Sequence, residues 1–459
     1  MKKKFLCVLL ALAMVLALAA CSGAPEETPD PSKSTPEASD AANEGEGEAA
    51  APEDESGEQA ELSGEVGEEV PDDAQTAPNN DEQTGTNEVS ENTGNPANSA
   101  APVEGAFKLG GTGPLTGGAA IYGNAAKNGA QIAVDEINAS DSAVKFELRY
   151  EDDAHDAEKA VNAYNALKDW GMQISLGSVT SKPAEATSAE SFADSIFSLT
   201  PSASSPATVA GKDNVFQMCF TDPNQGSASA EYIGSQNLGK KIAVIWKSDD
   251  VYSKGIRDTF LEEADAQGLQ VVSDQTFSDG NATDFSVQLN NAQTNEADLV
   301  FLPMYYEPAS LILAQASAMG YAPKWFGVDG MDGILTMQGF DASLAEGVML
   351  LTPFNADATD EKTVNFVAEY EKRFGEKPNQ FAADAYDCVY AYCQALTAAN
   401  ATPDMDAATL NDLMKAQFTS MTFMGLTGTE TGLTWNASGE VSKSPKGMVI
   451  TNGAYVGMD

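Results

Sequence analysis

The chain has 459 residues, with 25 Lys and Arg against 69 Asp and Glu, a formal net charge of −44 at pH 7. An acidic excess of this size argues against nucleic acid as a partner, because phosphate binding needs clustered Lys and Arg. One histidine and five cysteines leave little material for His-dependent catalysis, a zinc motif or a disulfide framework, so no metal or cofactor is expected.

In chain order, Met1-Lys2-Lys3-Lys4 is a basic start, and Phe5 to Ala17 is an apolar run too short for a comfortable membrane span. Leu18-Ala19-Ala20-Cys21 follows, with small residues before a cysteine. This resembles a bacterial lipobox and predicts a signal peptide over 1–20, cleaved before Cys21, whose sulfur then carries diacylglycerol. Acyl chains contribute ~0.8 kcal/mol per buried CH₂, enough together for stable anchoring. The remainder of 21–104 is low in complexity, poor in aromatic and branched apolar residues, and holds Lys33 as its one basic residue. Such a composition cannot offset its ordering entropy, which predicts a disordered acidic tether, extended by self-repulsion.

From residue 105 onward strand and helix patterns alternate. Strands are expected at 106–109, 144–150, 173–176, 196–199, 241–246, 270–272, 299–302 and 324–327. Helices are expected at 157–170, 226–238, 253–268, 283–294, 308–319, 361–374 and 380–400, with a hairpin over 432–441. Repeated βα units predict an α/β fold with parallel sheets flanked by helices. The length exceeds what one hydrophobic core serves, which predicts two lobes. Cys219, Cys388 and Cys393 read as small buried apolar residues.

The stretch 110–138, GGTGPLTGGAAIYGNAAKNGAQIAVDEIN, has the strand, glycine-loop, helix layout of a phosphate site. It lacks G-x-x-x-x-G-K-[ST], since Lys127 lies well inside the helix, and lacks a complete G-x-G-x-x-G. The run Glu151-Asp152-Asp153-Ala154-His155-Asp156 could be a metal cluster, but acids ahead of a helix more often cap it. Asp249-Asp250 reads as a solvated loop before a helix. In open parallel sheets ligands sit beyond the carboxyl ends of the strands. Ser, Thr and Tyr recur there, with few charges.

The ordered set GPLTGGAAIYGNAAKNGAQIAVDEIN, YEDDAHDAEKA, LGSVTSKPAEA, LTPSASSPA, CFTDPNQG, VYSKGI, LPMYYEPASLILAQASAMGY and GVDGMDG resembles the extracytoplasmic solute-binding proteins of ABC importers for branched-chain amino acids. The resemblance covers about residues 107–440. It implies the type I periplasmic-binding fold: two Rossmann-like lobes, 105–225 with 352–425 and 226–351 with 426–459, joined by three hinge crossovers. It implies a monomer that captures an amino acid between its lobes and delivers it to a membrane permease. By position, Ser181 matches the serine holding the ligand carboxylate, and Ser202 the residue whose carbonyl accepts from the ammonium. Ser204 stands for a threonine that meets both charged ends, and Asp329 for the acid facing the ammonium. Tyr305, with Tyr306 as the adjacent alternative, matches a tyrosine near the ammonium. Tyr122, Val179, Thr180 and Tyr252 match residues that wall or close the side-chain pocket. The family's disulfide would join the positions of His155 and Thr180, so it is absent here.

The residue chemistry points the same way. A zwitterion needs short donors for one end and one carboxylate for the other, and neutral dipoles hold a carboxylate without burying a second full charge. Alternatives are a sensor domain of the same fold, a binder of amides, urea or aromatic acids, and, in a different class, a hydrolase, against which the missing nucleophile–base arrangement speaks. The lipid anchor and long tether suit the outer face of a Gram-positive membrane.

Overall fold

The computed structural model describes residues 103–428 and 430–458. The expected signal peptide, Cys21 and nearly all of the expected tether lie outside them.

The first sheet is built from β1 (Phe107–Gly113), β2 (Phe146–Asp152), β3 (Ile174–Leu176), β4 (Ser198–Thr200) and β5 (Val215–Gln217), in the order β2-β1-β3-β4-β5 with every pair parallel. Its connections are α1 (Ala120–Ala139), α2 (Ala157–Trp170) and α3 (Ser181–Ala193). After α4 (Asp222–Ser235) the chain enters a second sheet through β6 (Lys241–Lys247), α5 (Val251–Ala266), β7 (Gln270–Phe277), α6 (Ser286–Thr294), β8 (Leu299–Leu302), α7 (Tyr306–Ala318), β9 (Lys324–Gly327) and β10 (Met349–Thr352). Then α8 (Glu361–Phe374), α9 (Gln380–Ala398) and α10 (Ala407–Phe418) precede β11 (Lys446–Thr451) and β12 (Ala454–Gly457). The second sheet runs β12-β11-β10-β9-β8-β6-β7, parallel except for the β10-β11-β12 edge.

Strand alternation explains why helices cover both faces. On β6, Ile242 and Val244 pack with Ile233, Ile256 and Phe260 of α4 and α5. Ala243 and Ile245 belong to the core cluster that also takes in Leu289 of α6 and Ile312 of α7. Residues at i and i+2 share a face, so a run of apolar residues serves two layers at once. α9 lies along α1 and ties itself to the first sheet through Tyr392, whose hydroxyl donates to the Ser175 carbonyl at 2.6 Å.

The hairpin expected over 432–441 is present in its shortest form, Trp435 and Val441 pairing antiparallel across a tight turn. A second hairpin, β11–β12, is turned by Asn452 and Gly453, both with positive φ. Asn-Gly is the pairing a two-residue hairpin turn demands. Two expectations need correction. The stretch around Trp435 stays with the first sheet. Its indole N–H donates to the Gln217 carbonyl at 2.8 Å, and the Gln217 N–H donates to the Gly439 carbonyl at 2.8 Å. The last crossing between sheets therefore falls after these residues rather than at 425/426. Finally, Asp250 is not solvated: it is 5% exposed and caps α5, accepting from the Tyr252 N–H at 3.0 Å.

Both sheets place their first strand, β1 or β6, inside the order, so connections leave it in opposite directions. This creates a crevice at the carboxyl ends, where α/β folds bind ligands. The loops after β1, β3, β4, β6, β8 and β9 converge there.

Candidate functional site

One cavity at this crevice is lined by Tyr122, Val179, Thr180, Ser181, Ser202, Tyr252, Tyr305, Asp329, Gly330 and Phe381, with a volume of only about 10 Å³. That is about the room one water needs, so the lining residues close tightly on the site and their chemistry, not a preformed void, defines it. Eight of the nine residues singled out in the sequence line it. Ser204 does not. It lies just behind, 1% exposed, with its hydroxyl beside the buried Asp222 carboxyl.

On the first sheet's side, the turn after β1 brings in α1. Gly123 is required there, because a Cβ would meet the Pro114 carbonyl oxygen at 2.0 Å. The close turn buries Tyr122 completely and aims its hydroxyl across the crevice, where it donates to the Gly330 carbonyl and accepts from the Tyr306 N–H at 3.2 Å. The glycine loop thus seats a tyrosine rather than cradling a phosphate.

After β3, Thr180 is the N-cap residue of α3 but makes no side-chain cap. Its hydroxyl is instead engaged by His155 Nδ1 at 2.8 Å. The first N–H groups of a helix have no partner within it. With the capping hydroxyl diverted, those beside Ser181 are left for a ligand, at the end of a helix that favours negative charge. A hydrogen bond also joins the two positions at which the resemblance placed a missing disulfide. Burial, reinforced by Lys247 and Lys182, pushes the His155 imidazole down to about 4, so it is neutral at physiological pH. His155 also stands edge-on to Tyr305, with ring centroids 5.5 Å apart.

The acidic run before α2 divides its labour. Asp156 caps the helix through the Lys159 N–H at 2.9 Å, as expected for such a cluster, and Asp152 ties down the N–H of Leu115 at 2.8 Å. Asp153 is fully buried and accepts from the His155 N–H at 2.9 Å. Among the described residues no group of acids, His and Cys could hold a metal ion.

The second sheet's side carries the charge. Asp329 opens the turn after β9 and is 3% exposed. It accepts from the Tyr252 hydroxyl at 2.5 Å, and its own N–H donates to Gln225 Oε1 at 3.2 Å. Burial pushes its carboxyl up to about 7, against the hydrogen bonds from Tyr252, Gln225 and the Gly330 N–H. Tyr305 stacks on Tyr252 at 4.8 Å and meets Tyr122 edge-on at 5.3 Å. Tyr305 therefore faces the cavity, while Tyr306 contributes its N–H to Tyr122.

Sequence reasoning missed Phe381, Gly330, Gln380 and Asp222. Phe381 lines the cavity from the start of α9, 4.2 Å from the Tyr122 ring. No local signal marks it, since the helix reaches the site only through packing. Asp222, at the start of α4, is 1% exposed, with the Ser204 hydroxyl beside its carboxyl. Burial raises its pKa strongly, helped by Asp329 and opposed by the adjacent Ser204. No Lys or Arg lines the cavity. The buried acid of the lining, Asp329, offers a partner for a cation, and the α3 end offers helix N–H groups for an anion.

A family model described as periplasmic binding protein matches residues 106–439. Two curated relatives bear Leu/Ile/Val-binding names. A protein of Rhizobium johnstonii, BraC3, is 31% identical over 48% of this chain and 60% of its own length, so that match spans under two thirds of the relative. A homologue from Brucella melitensis is 26% identical over 73% of this chain and 91% of its own. Among solved structures, a branched-chain amino acid transporter substrate binding protein from Streptococcus pneumoniae, in complex with isoleucine, superposes with TM-score 0.68 at 26% identity, covering 76% of this chain and 97% of that one. A solute binding protein from R. palustris in complex with benzoate gives 0.69 at 18% identity over 77% and 96%, a likeness of fold alone. The chain belongs to the periplasmic binding protein family, with its type I architecture, and is a solute-binding protein rather than an enzyme.

Proposed function

We propose that this protein captures an amino acid, with a small apolar and preferably branched side chain, by closure of two lobes, and delivers it to the membrane permease of an ABC importer. The observation that carries this reading is the polarity of the cavity at the crevice. Hydroxyls and the α3 N-terminus stand on one side and a buried carboxylate on the other, with Val179, Phe381 and three tyrosines between them. Ser181 and the N–H groups around it hold the ligand carboxylate. Asp329 pairs with the ammonium, assisted by the Ser202 carbonyl, with Ser204 just behind. Tyr122, Val179, Thr180, Tyr252 and Tyr305 wall the side chain. The relatives' names support this substrate class.

The lobes are 105–225 joined with 352 to about 443, and 226–351 joined with the remainder, hinged at three crossovers. Ligand shifts an open–closed equilibrium, because only the closed form contacts both of its ends. The monomer is anchored through a lipid on Cys21 on the outer face of a Gram-positive membrane, with the acidic tether as spacer.

The test is a thermal-shift screen of the purified mature protein against the twenty amino acids, urea, short amides and benzoate. A ligand at 100 times its Kd stabilises the fold by about 2.7 kcal/mol. Leucine, isoleucine or valine giving the largest shift supports the proposal. A shift with benzoate and none with any amino acid overturns it.

A further inference from the structure

Both ends of the turn after β9 are used. Asp329 faces the cavity, while the Asp329 carbonyl, the Gly330 carbonyl and the Asp332 carboxylate face the elements packed on the first sheet. Gln380, the first residue of α9, donates its backbone N–H to Asp332 Oδ2 at 2.9 Å and its side-chain amide to the Asp329 carbonyl at 2.7 Å. Asp332 is 3% exposed and Gln380 1%. One 3-10 turn, Asp329–Met331, and its cap Asp332 therefore carry both the proposed ammonium contact and a two-point grip on the opposite lobe.

From this geometry we propose that Asp332 and Gln380 are positioning residues that form a closure latch, coupling occupation of the Asp329 side of the cavity to docking of the α9 N-terminus. The coupling to ligand rests on the amino-acid reading above. The latch itself does not.

The physical argument is one of donor accounting. Gln380 is the first helical residue of α9, so its N–H has no acceptor within the helix. Asn379, the cap, spends its side chain on the Ala382 N–H at 3.2 Å. When the lobes part, water serves the Gln380 N–H and amide. When they close, both donors lose water, and Asp332 and the Asp329 carbonyl are the acceptors that replace it. A carboxylate at a helix N-terminus is the favourable sign for the helix dipole. Without Asp332 the closed form buries an unmet donor, which closure must offset. The turn cannot dock in a different register, because Tyr252 holds it from the cavity side. The Tyr252 hydroxyl donates to Asp329 Oδ1 and accepts from the Gly330 N–H at 2.9 Å. A ligand ammonium drawn to Asp329 then fixes the segment that carries Asp332.

Amide hydrogen exchange at Gln380 tests this directly. Exchange is followed residue by residue in the full mature protein, with and without isoleucine as probe. Isoleucine should slow the Gln380 amide in the wild type. Asp332→Ala should restore fast exchange there while the Ala383 amide, bonded to the Asn379 carbonyl within the helix, stays protected. The same variant should bind isoleucine roughly tenfold more weakly, through faster dissociation, with the ranking of amino acids unchanged. Gln380→Met, which keeps the backbone N–H, should give a smaller loss, and it serves if Asp332→Ala fails to fold. Protection of Gln380 and an unchanged dissociation rate in both variants would overturn the latch. If no amino acid binds, the function above fails, and the latch is decided with whichever other compound of the screen binds. Protection of Gln380 on binding that Asp332→Ala abolishes upholds it, and an unprotected Gln380 in the bound wild type refutes it.

Discussion

The rim of the first sheet brings Thr180, Ser181 and Ser202 to the cavity, hydroxyls and helix N–H groups without formal charge. The rim of the second brings Asp329 between Tyr252 and Tyr305. The two rims arise from the same βα architecture and differ only in the residues that follow each strand. Dipoles can be buried empty at modest cost, since a hydroxyl can turn to another partner, as Thr180 turns to His155. A carboxylate cannot, and burial drives Asp329 up to about 7 and raises Asp222 as well. The charged rim therefore stores the larger penalty in the ligand-free protein, which the proposed ligand ammonium would relieve.

The strongest way to break this contrast is Asp329→Ala. It should weaken amino-acid binding at least tenfold by calorimetry, since a charged hydrogen-bond partner contributes ~1.5–3 kcal/mol. Equal affinity would show that the acid rim does not hold the ammonium.

Acidity is the next lever. An ammonium pairs with ionised Asp329, which in the ligand-free protein takes up a proton below about pH 7. Binding below that pH must expel the proton, so affinity should fall by up to about tenfold per pH unit on going from 7 toward 5. Calorimetry in buffers of different ionisation enthalpy should detect proton release at pH 6 and little at pH 8.5. Stability of the ligand-free protein should run the opposite way. The Asp329 carboxyl titrates near 7 folded against 3.8 unperturbed. Its stabilising proton is fully present below about pH 4, and the contribution is lost as pH rises through 7. Asp153, raised to about 7, and Asp332 and Asp384, raised to about 6 by burial, add in the same direction. Denaturant midpoints of the ligand-free protein should accordingly rise from pH 7.5 to pH 5.5, and the rise should shrink in Asp329→Asn.

On the neutral rim, Ser181→Ala removes one hydroxyl but leaves the helix N–H groups. A loss of about 0.5–1.5 kcal/mol is expected, roughly two- to tenfold in Kd, with no change in the pH profile. The smallest effect on binding belongs to Asp156→Ala, which removes the α2 cap away from the cavity. Stability should drop, read as a lower denaturant midpoint, with affinity unaltered.

Much of this was legible in the residues. The helices 157–170 and 361–374 and the strands 299–302 and 324–327 coincide with the observed elements, because each couples a clear hydrophobic period to a recognisable start or stop. The start of α4 at Asp222 came earlier than expected, since the Thr221 side chain caps it and Pro223 suits its first turn. Short β5 and β10 escaped notice, and so did α3, whose small residues Ser181 to Ala193 carry almost no amphipathic pattern. The Asn452-Gly453 turn, a strong local hairpin signal, closes β11–β12, while the Asn436–Gly439 turn closes a single antiparallel bridge and leans on β5.

Local pattern thus dictated the alternation of strands and helices and the hydroxyl-rich and acidic loops behind the strands. These depend on neighbours within a few residues, where propensity and periodicity act. Which loops meet was a matter of tertiary structure. Phe381, Gln380 and Asp332 owe their places to the packing of α9 along α1 and to the close approach of the two sheets. The raised pKa of Asp222 exists only because folding removes water from it. Burial and long-range approach are properties of the assembled chain, and no window along the sequence contains them.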